Sequence, residues 1–571
     1  MLPARRFHFR PQLWTSLRAG YKREDFFADL SSGVTVALVA LPLAMAFGIA
    51  SGVRPDQGIV TAAIGGMIVS LLGGSRVQIA GPAGAFVALL YAIVEKYGVA
   101  NLLIATMMAG VLLFAMGAFR MGSLVRFIPV AIVIGFTTGI AAIIALSQVH
   151  DLLGLTIEKM PSNFFSQIAA LGDSMHTINW IAAAIGAASL AMILVWPTPQ
   201  AAKQGNWRFL TAKLPATLVV LVLSSVAVWA LHLPVETIGT RFGELPSGLP
   251  TPQLPAFDWA TAQNLFAPTV AIALLGAIES LLCARVADGL IGARHDPNQE
   301  LMAQGIANFA TPLFGGIAVT GTIARTMTNV KSGARTPVAG IVHSLMLFLV
   351  IMALSPLAGS VPLAALGAVL LWVAFNMVPW KELRELRKFS MFYRATLVTT
   401  LLLTVVFDLT VAVEVGLVMS SLFFIYRISS LTKVQPLVLP AERSVFADGR
   451  NVAAWEVFGS IFFGSVNKLE TLLDPARPLP DVVILEMHKV INMDTTGLDA
   501  LEALHNTLAR RGGRLMLVDL NEQPASLLAR SGLVHEIGPQ NVFENIDDAL
   551  DAAAIPTAVD AARVFAAAQT A

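Results

Sequence analysis

About fourteen apolar segments fill the first 427 residues of the chain, and they limit its fold more than any other feature. Several fall short of the roughly 20 residues that a straight spanning helix needs, so the short ones must be broken or supported by neighbours. Hydrophobic residues make up 56% of the chain and charged residues 13%, with a mean hydropathy of +0.71. This composition predicts a polytopic membrane protein. The approximate bounds are 31–51, 58–73, 81–94, 102–119, 129–147, 180–196, 214–230, 266–284, 300–314, 322–331, 338–355, 361–378, 395–407 and 412–427.

The distribution of lysine and arginine predicts the topology of these segments. If the N-terminus is cytoplasmic, the loops after even-numbered segments carry most of the basic residues, and the C-terminus is cytoplasmic too. A connector at about 232–258, rich in proline and glycine, separates two halves of about seven segments each. An odd number of spans in each half gives the halves opposite orientations, so we expect the inverted repeats that are common in transporters.

The composition changes after Arg427, where buried-strand patterns alternate with helical patterns. Strands are predicted at 452–460, 481–487 and 514–519, so we expect a small sheet covered by helices. The predicted division is a cytoplasmic N-terminal arm (1–24), an all-α membrane domain (25–427), a linker (428–443), a small cytoplasmic α/β domain (444–556) and a C-terminal tail (557–571).

A polar, glycine-rich stretch at 314–331 interrupts the apolar segments. Gly321 lets the backbone leave helical geometry, and a short helix is predicted to start at Thr322. A helix that begins inside a membrane directs unpaired N–H groups and the positive end of its dipole at the cavity before it. This predicts an anion site with Arg325 in the first turn of the helix. A close helix–helix contact between small residues is the alternative.

A second interruption, at 78–86, lies at the third segment of the N-terminal half. The interruption at 314–331 lies at the third segment of the C-terminal half. Pro82 suits the first turn of a helix, and Gly81 and Gly84 keep the approach to that turn open. Matching broken segments in two halves are the best sequence indication of a transporter's binding site. We therefore expect residues 83–85 and 322–325 to face each other across one anion cavity.

The run PLAMAFGIASGVRPDQG at 42–58 and the GGSR at 73–76 resemble the signature of the sulfate permease family of anion transporters. Further similarity to family motifs lies at 277–282, 298–308, 321–326 and, for the family's STAS domain, 492–498. Within the family, the membrane part is most similar to bacterial members that include a C4-dicarboxylate carrier. The resemblance covers nearly the whole chain.

The resemblance implies two inverted seven-span repeats, divided into a core and a gate subdomain, that work as a dimer. The substrate would lie between the facing N-termini of spans three and ten, and the core would slide against the gate like an elevator. Phe47 stands where many relatives carry tyrosine, which makes the site less polar. The implied substrate-binding residues are Phe47, Ala83, Gly84, Ala85, Gly321, Thr322, Ile323, Ala324 and Arg325.

Glu279 is the only acidic residue that we expect in the interior of a span near the site. A carboxylate at membrane depth is a functional candidate, and burial favours its protonated form. Sodium-coupled relatives carry aspartate there, and Cys283, a poor ligand for hard cations, stands at the position of a threonine. We therefore expect Glu279 to couple transport to protons. A structural carboxylate paired with Arg325 or with a backbone group is the alternative.

Thr495 and Thr496 occupy the loop where soluble STAS relatives are phosphorylated, although a helix N-cap explains them equally well and is favoured. Cys283 is the only cysteine, which excludes an intrachain disulfide and a cysteine-based metal cluster. No nucleophile–base set, metal site or nucleotide loop is recognisable, so we expect no enzyme, no metal and no cofactor. A net charge of +1 gives no reason to expect a nucleic-acid partner.

The combined expectation is a secondary active anion transporter of the bacterial inner membrane, with sulfate as the leading substrate. Dicarboxylates and bicarbonate are the substrate alternatives. There are two functional alternatives. One is an anion channel, and the other is a sensor whose STAS domain binds a cytoplasmic protein. The expected partners are the small anion, a proton, membrane lipid and a second copy of the chain.

Overall fold

The computed structural model divides the chain into two compact units, residues 1–417 and 418–571. The described residues are 9–123, 129–157, 160–161, 163–196, 215–244, 248, 251–255, 259–407, 409–440, 444–445, 450–473 and 480–555. The predicted tail (557–571) lies outside them, as do the first residues of the predicted N-terminal arm. Residues Gln12–Arg18 of that arm form a short helix.

Each of the fourteen predicted apolar segments corresponds to a helix or a broken helix, which confirms the predicted helical membrane fold. By length and composition, six described helices can cross a membrane, or seven if the bent pair Phe164–Thr177 and Trp180–Val195 is one span. The helices are α1 (Arg23–Ala50), α2 (Pro55–Leu72), α3 (Gly84–Tyr97), α4 (Val99–Ala118), α5 (Val130–Leu153), α6 (Trp180–Val195), α7 (Ala216–Leu231), α8 (Phe266–Ile291), α9 (Pro297–Ala310), α10 (Ile323–Lys331), α11 (Val338–Ala358), α12 (Leu363–Met377), α13 (Met391–Val406) and α14 (Leu409–Leu431).

Glycines allow the helices around the site to pack closely. A Cβ on Gly58 of α2 would lie 2.0 Å from the Ala44 carbonyl oxygen of α1. A Cβ on Gly110 of α4 would lie 2.5 Å from the Phe309 nitrogen of α9. In a membrane, where lipid is as apolar as the helix surface, such close backbone approach supplies the packing energy. These crossings hold α1, α2, α4 and α9 as a rigid support for the two broken segments.

Two short strands, β1 (Ala80–Gly81) and β2 (Thr320–Gly321), stand directly before α3 and α10. They pair antiparallel, with Ala80 opposite Gly321 and Gly81 opposite Thr320. Antiparallel pairing of equivalent segments is the arrangement that two inverted halves require. The pairing also satisfies backbone groups that lipid could not.

The second unit contains a six-stranded sheet in the order β3-β4-β5-β7-β8, with β6 also paired to β4. All pairings are parallel except that of β3 with β4. The strands are β3 (Lys433–Leu437), β4 (Val452–Ile461), β5 (Val482–Glu486), β6 (Val490–Met493), β7 (Arg514–Val518) and β8 (Val542–Phe543). The helices that accompany them include α15 (Thr495–Arg510), α16 (Glu522–Ser531), α17 (Leu533–Ile537) and α18 (Ile546–Ala554). The three predicted strands and the α/β class are confirmed.

The segment 428–443, predicted as a linker, is structured over most of its described length. It contains the end of α14 and strand β3, with only Thr432 between them. Strand β3 reads KVQPL, and a proline together with a largely exposed pattern conceals a strand in the sequence. Pro436 is tolerated because β3 is the edge strand of the sheet and needs no N–H donor on its open side.

Candidate functional site

The two broken segments meet at one place in the membrane unit. Beyond the pairing of β1 with β2, the Thr322 amide and hydroxyl both donate to the Ile79 carbonyl oxygen, at 2.9 and 3.1 Å. Helix α3 begins three residues after Gly81, and α10 begins two residues after Gly321. The two helix starts are therefore neighbours, as the sequence predicted, although each lies in a different half of the chain.

Gly81 and Gly321 matter here through packing, because neither has the positive φ that favours glycine. A Cβ on Gly81 would lie 2.3 Å from the Arg325 Nη1 atom, and one on Gly321 would lie 1.8 Å from the Gln78 Nε2 atom. Contacts below 3.0 Å are not tolerated, so any side chain at either position would displace a polar group. The two glycines thus leave room for one guanidinium and one amide at the junction of the strands.

Arg325 is the most unusual side chain of the site. It is 1% exposed, and its Nε, Nη1 and Nη2 atoms have no hydrogen-bond partner among the described residues. Its side chain therefore does not extend to water at the membrane interface, as a surface arginine of a membrane helix would. An isolated buried charge costs several kcal/mol unless a counter-charge compensates it. No such counter-charge contacts the guanidinium among the described residues.

Two further polar side chains near Arg325 were not singled out from the sequence. Gln78 is buried just before β1, and neither Nε2 nor Oε1 has a hydrogen-bond partner among the described residues. His343 of α11 is fully buried and lies within electrostatic range of Arg325. Neither of its ring nitrogens has a hydrogen-bond partner among the described residues. The sequence contained a signal for Gln78, which directly precedes the glycine-rich break. His343 had none beyond being a lone histidine in an apolar helix.

Glu279 lies on α8, whose backbone contacts β2. The Thr320 hydroxyl donates to the Gly276 carbonyl oxygen at 3.2 Å, and a Cβ on Gly321 would lie 3.2 Å from the Ser280 Cα. Glu279 is 8% exposed, and it forms no pair with Arg325, whose nitrogens are all without a partner within the described part of the chain. The alternative of an Arg325–Glu279 ion pair is therefore wrong for this conformation.

The remaining predicted site residues surround the two helix starts. Phe47 of α1 is buried. A Cβ on Gly84 would lie 3.3 Å from the Phe47 ring and 3.0 Å from the Met377 sulfur. Ala83, Ala85 and Thr322 are buried, whereas Ile323 is half-buried and Ala324 is exposed. The first turn of α10 therefore has one face toward open space and one face, that of Arg325, toward the interior.

Glu279 is not the only buried acidic residue of the membrane unit. Glu300 of α9 is fully buried and accepts hydrogen bonds from the Gly74 amide at 3.0 Å and the Gln304 amide at 2.9 Å. Its position in the first turn of a polar helix made it resemble a surface residue in the sequence. Its hydrogen bond to the Gly74 amide joins α9 to the segment after α2 and gives Glu300 a structural role.

Asp29 of α1 is the second unexpected buried acid. It accepts hydrogen bonds from the Arg335 amide at 2.7 Å and from the Thr336 hydroxyl at 2.5 Å, and so joins the segment between α10 and α11 to α1. Tyr21 also donates to Asp29, at 3.1 Å. Burial, and then the Asp29 charge, raise the pKa of Tyr21 to about 12, so this phenol remains a donor at neutral pH.

The phosphorylation candidates Thr495 and Thr496 are the first two residues of α15, and Thr495 is exposed. The favoured interpretation, that they cap the helix, is wrong. The N-cap is Asp494, whose carboxylate accepts the Gly497 amide at 2.9 Å. Aspartate is as good an N-cap as threonine, and its charge is favourable at a helix N-terminus.

Comparison with known proteins places both units in established families. Residues 26–400 match the sulfate permease family, and residues 450–549 match the STAS domain. The chain is 40% identical over 537 residues to the "Putative sulfate transporter YvdB" of Bacillus subtilis (strain 168), covering 93% of this chain and 98% of that protein. It is 28% identical over 551 residues to the "Bicarbonate transporter BicA" of Picosynechococcus sp., covering 91% and 94% of the two chains.

Solved structures with the same fold cover the membrane unit and nearly the whole chain. The transmembrane domain of a cyanobacterial bicarbonate transporter, BicA, has a TM-score of 0.62 and 29% identity, covering 69% of this chain and 98% of that one. The murine anion transporter Slc26a9 in its inward-facing state has a TM-score of 0.84, covering 96% of both chains. With 18% identity, the second likeness establishes the fold alone.

Proposed function

The chain belongs to the sulfate permease family of anion transporters, and we propose that it is a secondary active transporter that carries a small anion across the bacterial inner membrane. The observation that carries this proposal is the buried Arg325 guanidinium beside two facing helix starts, with no partner among the described residues. An anion there would neutralise the guanidinium and accept hydrogen bonds from the free N–H groups of α3 and α10. The site would thus stabilise a negative charge that lipid excludes.

Sulfate is the leading substrate in this proposal. The relative with 40% identity is named as a sulfate transporter, and one with 28% identity as a bicarbonate transporter. Buried donors at Arg325 and Gln78 suit an oxyanion with several acceptor oxygens. Bicarbonate and C4-dicarboxylates remain the alternatives because Phe47 adds no donor at the start of α3. We assign no enzymatic role.

Proton coupling through Glu279 is part of the same proposal. Glu279 is buried one residue from Ser280, whose backbone packs on β2, and its carboxylate has no ion pair with Arg325. A buried carboxylate without a cationic partner favours its protonated form, and an arriving anion favours that form further because like charges repel in a low dielectric. Substrate and proton would therefore each tighten the binding of the other.

An elevator-like movement is supported by one contact at the external side. Arg54, in the loop between α1 and α2, donates to the carbonyl oxygens of Phe242 at 2.8 Å and of Glu244 at 3.1 Å. The short helix Ile238–Phe242 is in turn hydrogen-bonded to the segment before α12, through Gly239 and Gly359 at 2.8 Å. We propose that this external latch, Arg54 with residues 242–244, breaks when α1, α2, α3, α8 and α10 move relative to α12.

The family resemblance adds three proposals about the whole protein. The N- and C-termini would be cytoplasmic, the transporter would be a homodimer, and the exposed Thr495 with Thr496 would serve a cytoplasmic regulator of the STAS domain. Cross-linking in native membranes tests the dimer. Phosphopeptide analysis of cells that express the protein tests the two threonines.

Uptake into proteoliposomes tests the transport proposal directly. Sulfate, bicarbonate, succinate and fumarate are compared at two external pH values, with and without a proton gradient. We expect one class of anion to accumulate above its external concentration, and this accumulation would exclude a channel. Movement that only equalises concentrations would favour a channel over a secondary active transporter.

The Arg325→Ala variant tests the site. Loss of charged hydrogen bonds of about 1.5–3 kcal/mol predicts binding weaker by roughly 10- to 100-fold. Arg285→Ala, which removes an exposed arginine of α8, is the matched control and should bind as the parent does. Direct binding to the purified protein is the measurement. Unchanged affinity in Arg325→Ala would remove Arg325 from the site.

A further inference from the structure

A turn after strand β4 presents two aromatic rings at the surface of the STAS domain. This aromatic turn, residues 462–466, is closed by a hydrogen bond from the Ser465 amide to the Phe462 carbonyl oxygen at 2.8 Å. The rings of Phe462 and Phe463 pack edge to face, with centroids 5.2 Å apart, and Phe463 is 62% exposed. The residues around these two rings indicate what the rings contact.

The aromatic turn is fixed to the last two turns of α14. The Ser429 hydroxyl donates to the Gly464 carbonyl oxygen, and a Cβ on Gly464 would lie 3.1 Å from the Ile425 side chain. Lys468, just after the turn, donates to the carbonyl oxygens of Ser429 at 2.7 Å and of Thr432 at 2.5 Å. An ammonium at the end of a helix satisfies free carbonyl groups and matches the negative end of the dipole. The turn and the helix end therefore form one body.

Helix α14 places this body at the membrane surface. Helix Val411–Leu431 has 21 residues, and a rise of 1.5 Å per residue makes it about 31 Å long, enough to cross a hydrocarbon core of about 30 Å with its last, polar turn at the headgroups. Only 11% of its most apolar stretch is buried in the protein, so its surface is available to lipid. The apolar run ends at Arg427, and Ile425 lies only two residues before it, or about 3 Å along the axis. The aromatic turn thus stands beside the cytoplasmic end of a membrane helix.

The charges around the aromatic turn suit the same location. Arg427 of α14 and Lys433 of β3 are both exposed on either side of the helix end. Basic residues next to a membrane helix are attracted to the anionic cytoplasmic leaflet, and aromatic rings are enriched at the level of the headgroups. Thr432 is the only residue between α14 and β3, so the chain leaves no spacer that could lift the turn away from the bilayer.

We propose that the aromatic turn is a lipid contact of the STAS domain, with Phe463 inserted among the headgroups of the cytoplasmic leaflet. The partner is the bilayer that α14 itself crosses, and not a separate protein. Phe463 would bury apolar surface in the acyl boundary, while Arg427 and Lys433 would bind lipid phosphates. The contact fixes the orientation of β3 and β4 relative to the membrane plane.

A nitroxide at position 463 tests this contact in full-length protein reconstituted in nanodiscs with anionic lipid. Cys283, the only native cysteine, is fully buried and should not react, so the treated parent supplies the blank. Phe463→Cys carries the label, and Val438→Cys is the matched control, because Val438 is 98% exposed beyond the far end of β3. We expect collisions with oxygen to exceed those with a water-soluble nickel chelate at 463, and the reverse at 438.

Three outcomes of the nitroxide experiment are distinguishable. A high ratio of oxygen to nickel collisions at 463 alone supports the lipid contact. A ratio equal to that at 438 means a water-exposed turn and overturns the proposal. Protection from both relaxants means that protein covers the turn, and this also overturns it.

Photo-cross-linking with p-benzoylphenylalanine in place of Phe463 provides a second test that keeps an aromatic ring at the position. Adducts are identified by mass spectrometry after irradiation in the same nanodiscs. Lipid adducts at 463 and none at 438 are expected. Peptide adducts at 463 would contradict the proposal, even if the cysteine variant failed to fold.

Discussion

At the residue scale, the site depends on how little space surrounds Arg325. An added Cβ would lie 2.3 Å from the guanidinium at Gly81 and 1.8 Å from the Gln78 amide at Gly321. Polar groups without partners at such density are unusual in a folded protein, where nearly all buried donors are satisfied. They are the basis for the proposed anion site, and they predict effects of very small substitutions.

The first such substitution is Gly81→Ala, which adds a methyl group 2.3 Å from the Arg325 Nη1 atom. The guanidinium must move, so we expect substrate affinity to fall by roughly 10-fold or more, as in a partial loss of charged hydrogen bonds. Gly289→Ala on α8 is the control, because its Cβ would meet no atom within 4 Å. Binding to purified protein measures both variants. A Gly81→Ala protein with parental affinity would contradict the tight packing described here.

Substitution of Glu279 tests the coupling. Uptake by the parent should be faster at acidic pH and independent of sodium, since anion and proton favour each other at the site. Glu279→Gln mimics the protonated form, so it should bind substrate but lose pH dependence and proton-driven accumulation. Glu385→Gln, in an exposed loop, should behave as the parent. Uptake at several pH values is the measurement, and a strict sodium requirement in the parent would disprove proton coupling.

At the element scale, two half-helices and a latch determine which movements are possible. Helix α10 is anchored at its end, where the Ser32 hydroxyl of α1 donates to the Asn329 side chain at 2.7 Å. Its start is anchored by the pairing of β1 with β2. In the proposed movement, the site would therefore move with α1 as one body, and the contact of Arg54 with Phe242 would have to break.

Removal of the latch by Arg54→Ala should favour the conformation that is open to the outside. Hydrogen bonds from a charged donor contribute about 1.5–3 kcal/mol each, enough to shift a population roughly 10-fold or more. The measurement is the rate at which a membrane-impermeant reagent labels a cysteine at Phe314, which lines a cavity of about 500 Å³ beside Arg54. Asp56→Asn keeps both bonds to residues 242–244 and is the control. Equal labelling rates in both variants would rule out a gating role for the latch.

At the scale of the whole molecule, the candidate transport site lies entirely within residues 1–417. A chain that ends after Thr432 keeps α14 and removes the sheet, whereas a cut at Arg427 would remove the last helical turn. We expect the chain that ends after Thr432 to reach the membrane and to retain uptake per molecule within a few-fold. Uptake normalised to protein in the membrane measures this. Complete loss of transport by a well-folded truncated protein would favour an essential role for the STAS domain.

The sequence by itself determined the features that depend on local chemistry. Hydropathy located fourteen helices, because each must satisfy its own backbone in lipid. Glycine marked both broken segments and proline the first, because glycine disfavours a continuous helix and proline suits the first turn of a new one. The strands at 481–487 and 514–519 were recognisable from apolar runs bounded by turn signals, and 452–460 was a further strand candidate.

Only the tertiary structure decided what lies next to what. The contact of Gly81 with Arg325, the buried Gln78 and His343, and the hydrogen bonds of Glu300 join segments from different parts of the chain. No local pattern encodes them, because a side chain's burial depends on distant helices that cover it. The same holds for β3, which is a strand only because β4 supplies its hydrogen bonds. Local sequence thus specified the helices and their breaks, whereas packing between distant segments specified the site.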